Sequence, residues 1–176
     1  MSTVRFPVGF QVEPLQHRHP RRGFLCGEPS VDDWLKTKAL QQQEKHLSVT
    51  KVLMNPERKI AGFYTLATGQ VDFGALPPEL IKRLPRRALP VAVLAWLGVD
   101  RSCRGQGLGR LLLARALRDC YESGQTFAFV AVILDCVNDS AKVFYQKWDF
   151  QEFPGHANRL FLSWNQLASM MNSEPA

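Results

Sequence analysis

The chain has few of the residues that staple or anchor a protein. Its 176 residues include four cysteines, at 26, 103, 120 and 136. None forms a Cys-x-x-Cys pair, and no histidine lies at finger spacing from them. A zinc module and a disulfide framework are therefore excluded as expectations, and free thiols in a reducing compartment are the reading. A domain of this length buries roughly 70% of its unfolded surface and needs neither device to fold. The longest apolar run, Leu89 to Val99, is far shorter than a membrane span. The opening stretch, Met1 to Phe10, lacks the apolar core of a signal peptide. A cytoplasmic location, with no membrane partner and no metal, is expected. Repeats, low-complexity tracts and long linkers are also missing, which predicts one domain over residues 1–176.

Acids are missing from one region in particular. The overall charge is +6, with 45% hydrophobic and 22% charged residues, an ordinary globular balance. Between Leu80 and Arg118, however, nine basic residues face one acid, Asp100. That segment carries +8 and leaves the rest near neutral at −2. A local site for an anion follows as one reading, and a solvated basic face as the plainer one.

Periodicity gives the elements. An extended entry is expected over Phe10–Leu15, then a basic loop from His17 to Arg22. Ser30 followed by Asp32 and Asp33 reads as a helix start, with the helix running to His46 and room for one break. Leu47–Met54 and Ile60–Val71 read as paired strands around an Asn55-Pro56-Glu57 turn. Prolines 77, 78, 85 and 90 exclude a long helix there and leave a short turn over Pro78–Leu84. Val91–Val99 is a buried strand by its unbroken apolar run. Leu108–Tyr121 is the best amphipathic helix, stopped by Gly124. Phe127–Leu134, Phe150–Phe153 and Arg159–Trp164 read as strands. Asp139–Lys147, capped by Asn138 or Asp139, and Asn165–Asn172 read as helices. The order implies an α+β domain, a mixed sheet flanked by helices.

The chemistry lies between the buried strand and the amphipathic helix, in Arg104-Gly105-Gln106-Gly107-Leu108-Gly109-Arg110. Glycines bring backbone N–H groups close to a ligand, and the helix start adds unpaired donors and a positive dipole end. Such a turn suits phosphate oxygens, and Arg104 and Arg110 add charge-assisted donors. It is not a Walker loop, since no Gly-Lys-Ser/Thr follows. It is not a dinucleotide fingerprint, since Arg110 stands where the third glycine belongs. The pattern that fits is Arg-x-x-Gly-x-Gly, formed by Arg104, Gly107 and Gly109. A ligand-free glycine turn is the bland alternative.

In these residues the chain resembles the GNAT acetyltransferases, whose signature is Gln/Arg-x-x-Gly-x-Gly/Ala between a fourth strand and a third helix. A second stretch, Asn138-Asp139-Ser140-Ala141-Lys142-Val143-Phe144-Tyr145 followed by Phe150, is similar to that family's Asn-x-x-Ala-x-x-Phe-Tyr-x-x-x-Gly-Phe. The resemblance implies a GNAT fold, a central, mostly antiparallel mixed sheet flanked by helices. It implies acetyl-CoA as donor, with the backbone of Leu97, Gly98 and Val99 pairing with the pantetheine arm. Arg104, Gly105, Gln106, Gly107, Leu108, Gly109 and Arg110 would hold the pyrophosphate, and Asn138, Ala141 and Phe144 of the second motif would also contact the cofactor. A narrower resemblance, from Phe24 to Trp164, is to the GNAT toxins of bacterial type II toxin–antitoxin modules. It rests on Phe24-x-Cys26-Gly27-Glu28-x-x-x-Asp32-x-Trp34-Leu35, on Gly62-Phe63-Tyr64-Thr65-Leu66, on the Pro-rich basic segment and on Val99-Asp100-Arg101-Ser102. It implies acetylation of the α-amino group of aminoacyl-tRNA, arrest of translation, a ribbon-helix-helix antitoxin and a homodimer. Two positions depart from the pattern: Trp96 stands where an arginine is usual, and Asp149 where the helix-ending glycine lies.

Acetyl transfer from a thioester to an amine needs a neutral amine and an acid for the leaving thiolate. An α-amine, with a pKa of about 7.7–8.0, is partly neutral near pH 7, so no strong base is required. Tyr145 is the candidate acid. From chemistry alone it reads as a core residue, and the resemblance reverses that. Arg86 and Arg87 are candidate tRNA phosphate contacts, with a solvated loop as the plainer reading. His17, His19, His46 and His156 read as surface residues, and Trp34 with Phe63–Tyr64 as core. The competing functions are a GNAT enzyme acting on a protein or small-molecule amine and a catalytically silent binding module, the latter favoured by Trp96.

Overall fold

The computed structural model describes residues 3–173. Seven strands form one mixed sheet in the order β1-β2-β3-β4-β5-β7-β6. In chain order they are β1 (Gln11–Pro14), β2 (Val49–Met54), β3 (Ile60–Val71), β4 (Leu89–Val99), β5 (Ala131–Asp135), β6 (Gln151–Phe153) and β7 (His156–Ser163). The helices are α1 (Pro29–Thr37), α2 (Ala39–Glu44), α3 (Pro78–Ile81), α4 (Leu108–Gly124), α5 (Asp139–Gln146) and α6 (Trp164–Asn172). β1–β2, β2–β3, β5–β7 and β6–β7 are antiparallel, and β4 runs parallel to β5 at Ala92–Val132 and Val93–Ile133. The α+β reading and the mostly antiparallel mixed sheet are thus observed.

The chain divides into two compact units, and β3 and β4 each contribute to both. The first holds the chain up to Ala67 together with Leu94–Leu117. Its core joins Leu15, Phe24, Val31, Leu35, Leu40, Val52, Ile60 and Phe63, with Trp34 and Trp96 packed against them. Two glycines let this unit close on both sides of its strands. A Cβ on Gly62 would collide with Leu112 Cδ1 of α4, and one on Gly98 would meet Val31 Cγ1 of α1 at 2.9 Å. Residues 62 and 98 are therefore small because helices press on both faces.

The second unit holds Thr68–Val93 and the chain from Arg118 onward. Leu76, Leu89, Val91, Ile133, Phe153 and Phe161 form its core. Trp164 stacks on Tyr121 (centroids 5.3 Å, 14°) and meets Phe129 edge-on. All three rings are half-buried, so each contributes less than the roughly 1.5–3 kcal/mol of a fully buried side chain of that kind.

Three expectations are corrected here. The first helix starts at Pro29, with Glu28 as N-cap and no side-chain cap bond, so Ser30 lies inside it. Proline at N1 needs no N–H partner and sets the helical φ, which replaces the cap. The strand expected from Phe127 begins only at Ala131. The N–H groups of Thr126 and Phe127 donate to the Ser123 carbonyl, a turn that leaves Phe127 80% exposed. His19, read as a surface residue, is 3% exposed.

Candidate active site

In the first unit, β4 delivers the chain into the glycine turn. Asp100 ends the strand, residues Arg101–Cys103 make one 3₁₀ turn, and α4 opens at Leu108. Cys103 and Leu108 are buried at the two ends, while Arg104 through Gly107 stand in solvent. Gly105 and Gly107 have φ of +81° and +72°, and an added Cβ on either would meet nothing within 4 Å. Glycine is required by backbone conformation, and the space above the turn is open. The first α4 bond is Leu111 N–H to the Gly107 carbonyl. The N–H groups before it, including those of Leu108, Gly109 and Arg110, have no partner within the helix. The fit to a pyrophosphate is good: an open cradle, free donors, and Arg110 exposed beside it.

This turn is fastened to the segment before α1. Leu25 N–H donates to Asp100 Oδ1 at 2.9 Å, and Arg101 N–H donates to the Leu25 carbonyl at 2.8 Å. Arg104 Nη2 donates to the Cys26 carbonyl at 2.6 Å. Cys26 N–H in turn donates to Oδ1 of the buried Asp32 at 2.8 Å. Asp100 Oδ2 accepts from Ser102 N–H and Oγ. Burial would raise the Asp100 carboxyl, but the bonds from Leu25 and Ser102 outweigh it and hold the group below its ordinary range. Burial pushes the Cys26 thiol up to about 11, so it is not a nucleophile at neutral pH. All four cysteines are free.

Leu97, Gly98 and Val99 lie at the end of β4, with Gly98 buried and its neighbours half-buried. Beside them Trp96 stacks on Trp34 of α1, centroids 5.2 Å apart at 14°. Trp34 Nε1 donates to Thr65 Oγ1 at 3.2 Å, and Thr65 shares a 2.7 Å hydrogen bond with buried Thr50. The position with tryptophan instead of arginine therefore makes an indole pair. Neither residue alone announced this stack, because their contact joins positions far apart in the chain.

In the second unit, Asn138 caps α5, its side chain accepting from Ala141 N–H at 2.8 Å. That bond and the acid Asp139 start the helix that carries Phe144 and Tyr145. Tyr145 is 8% exposed, between the rings of Phe144 (5.2 Å) and Phe150 (5.8 Å). Its hydroxyl makes no hydrogen bond among the described residues. Burial, and secondarily Cys136, raise its pKa, so the phenol keeps its proton throughout the neutral range. Arg86 and Arg87 are exposed beyond α3, with Arg86 lying 5.9 Å over the Phe73 ring.

Residues 52–152 match the model of the acetyltransferase (GNAT) domain family. The chain belongs to the GNAT acetyltransferases. A tRNA-acetylating toxin of Mycobacterium tuberculosis is 34% identical over 139 residues, 79% of this chain and 82% of that one. Within the GNAT family, the chain therefore belongs with the tRNA-acetylating toxins. A probable toxin TacT of Sinorhizobium fredii is 27% identical over 170 residues, 91% and 94% of the two chains. Among solved structures, AtaT complexed with acetyl-methionyl-tRNAfMet is 25% identical with a TM-score of 0.84, covering 93% of this chain and 99% of that one. AtaTR bound with acetyl-CoA is 26% identical with a TM-score of 0.82 and the same coverage. This GNAT protein is an acyltransferase, and acetyl-CoA is the donor its relatives bind.

Proposed function

We propose that this GNAT protein transfers the acetyl group of acetyl-CoA to the α-amino group of aminoacyl-tRNA and thereby blocks translation, as the toxin of a toxin–antitoxin pair. The identity to the mycobacterial tRNA-acetylating toxin, spread over most of both chains, carries the substrate class. The open turn at Gly105 and Gly107 supports the donor site.

In this reading the N–H groups from Gly105 to Gly109 and the Arg110 guanidinium bind the pyrophosphate, with Gln106 and Leu108 completing the turn. The strand backbone at Leu97, Gly98 and Val99 pairs with the pantetheine arm, and one of its N–H groups stabilises the oxyanion. The α-amine of the substrate is partly neutral near pH 7, with a pKa of about 8, and attacks without a protein base, its proton passing to water as the C–N bond forms and the C–S bond breaks. Tyr145 gives its proton to the departing thiolate. A phenol whose pKa is raised is never lost to ionisation at neutral pH, which suits an acid. In the same reading Asn138, Ala141 and Phe144 contact the cofactor, on the capped helix that carries Tyr145. Arg86 and Arg87 contact tRNA phosphates. A ribbon-helix-helix antitoxin, a homodimer and a cytoplasmic location complete the proposal. Among the described residues no helix is long and apolar enough to cross a membrane.

The test incubates purified protein with acetyl-CoA and the full set of charged tRNAs, followed by mass spectrometry of the released aminoacyl groups. N-acetylated aminoacyl-tRNA with stoichiometric CoA release is the expected result. Turnover on polyamines or peptides, with every charged tRNA untouched, overturns it.

A further inference from the structure

A cavity of about 780 Å³ in the first unit takes no part in the chemistry above. Its walls include Glu13 of β1, Arg18 and His19 of the following loop, and Asn55 and Arg58 of the β2–β3 turn. It is polar where it matters, and its polar groups are arranged.

Four residues close a ring of hydrogen bonds at its rim. Gln16 N–H donates to His19 Nδ1 at 2.9 Å. Because Nδ1 accepts, Nε2 carries the proton, and it donates to Glu13 Oε2 at 2.8 Å. Glu13 Oε1 accepts from Arg18 Nη2 at 3.3 Å, and Arg18 Nε donates back to Gln16 Oε1 at 3.0 Å. The His19 side chain has no solvent exposure, so the ring is anchored in the body of the unit. The bond from His19 leads the causes that hold the Glu13 carboxyl below its ordinary range. The result is an arginine oriented by two hydrogen bonds, with no partner on its Nη1 among the described residues.

Arg58 stands on the turn that forms another wall. Its φ is +60°, a left-handed conformation that arginine seldom adopts, and the turn is closed by Arg58 N–H to the Asn55 carbonyl and Lys59 N–H to Asn55 Oδ1. Its guanidinium has no hydrogen bond or ion pair among the described residues. The one acid in the wall, Glu13, is already occupied by Arg18 and His19. Two guanidinium forks with unused donors, around a cavity with net positive lining, match the oxygens of a phosphoryl group. Arg21 and Arg22 close the same basic loop. Further cations on the loop that walls the cavity favour a chain of phosphates over one small anion.

We infer that the Arg18–Arg58 cavity is a phosphate-binding site that grips the sugar–phosphate backbone of the RNA substrate. This inference rests on the tRNA reading. It adds an anchor built by the basic loop from His17 to Arg22, which the acetyl-transfer chemistry leaves unused.

The experiment compares the native protein with Arg58→Asn and Arg18→Gln. Asparagine tolerates a left-handed φ, so Arg58→Asn removes the guanidinium while keeping the turn. Urea midpoints verify that each variant is folded. Charged tRNA affinity is measured at several salt concentrations, and acetyl-CoA affinity by calorimetry. Arg58→Asn is expected to weaken tRNA binding about tenfold and to lower the salt slope by about one, with acetyl-CoA affinity unchanged. Inorganic phosphate is the second probe. It should perturb the Nε–Hε NMR signals of Arg18 and Arg58, and tRNA should displace it. Native tRNA affinity and slope in a folded Arg58→Asn variant overturn the site while the tRNA reading stands. Tight phosphate binding that tRNA does not displace overturns the RNA assignment in favour of a free phosphate ligand. A native protein that acetylates no charged tRNA removes the functional reading and this inference together.

Discussion

Arg104 reaches across from the glycine turn and donates its Nη2 to the carbonyl oxygen of Cys26. The first residue of the Arg-x-x-Gly-x-Gly pattern thus commits one N–H donor to the chain before α1 and keeps its positive charge. Together with the Asp100–Leu25 and Arg101–Leu25 bonds, it holds the turn as a fixed cradle. Arg104→Ala is expected to raise the KM for acetyl-CoA about tenfold with a smaller change in kcat, since it loosens binding and leaves the acid in place. Arg104→Lys should recover part of that loss, because a lysine can still donate to a carbonyl. Initial-rate kinetics with varied acetyl-CoA measure both, and equal KM values in all three proteins would refute it.

Gly107→Ala forces a side chain into a φ of +72°. The left-handed conformation costs about 1–2 kcal/mol for an alanine. Space above the turn is open, so the fold should survive, with acetyl-CoA binding weakened about tenfold by calorimetry. Gly105→Ala should behave alike.

Tyr145→Phe removes one oxygen and keeps the ring between Phe144 and Phe150. Acetyl transfer should fall about 100-fold or more, with acetyl-CoA affinity unchanged. The native rate should rise with pH through the amine's pKa of about 8, then stay flat to about pH 10, because the phenol titrates above its ordinary value. CoA release against pH reads both features.

The Asp100 carboxyl is held below its ordinary range, so the folded state favours its charged form. Such a group contributes stability above the unfolded-state pKa of about 4, and loses it as pH falls through the lower folded value. Asp100→Asn should therefore unfold at lower urea than the native chain at pH 7. The gap should narrow below pH 4 and close when both side chains are neutral. Urea midpoints at pH 7, 4 and 3 give the comparison.

Asp149 adopts a φ of +66° after α5, at the place where a helix-ending glycine is usual. Asp149→Gly relieves the conformation and should stabilise the protein by about 1 kcal/mol, raising Tm by roughly 2–4 °C. Thermal unfolding followed by circular dichroism tests this.

The elements that were legible in the chain are those whose signal is local. β3 matches its expected bounds, Ile60–Val71, and α4 starts at Leu108 as its apolar stripe requires. Asn138 caps α5 as its side chain suggested. The glycine turn was legible because Gly105 and Gly107 mark left-handed backbone directly. What stayed hidden depends on partners distant in sequence. Arg104 meets Cys26 across 78 positions, and Trp96 finds Trp34 only once β4 and α1 have packed. Buried His19 looked like part of a basic surface loop, because its burial is set by Glu13 and the Gln16 backbone rather than by its neighbours' polarity. Phe127 looked like a strand residue, since an apolar side chain does not reveal that its own N–H has turned back to Ser123.

The Trp34–Trp96 stack gives this protein an internal optical probe. Two indoles with centroids 5.2 Å apart at 14° are close enough for their excited states to couple. The stack joins α1 to the strand that ends in Leu97–Val99. A ligand that shifts that helix against that strand should change this coupling, which circular dichroism reads with no label attached.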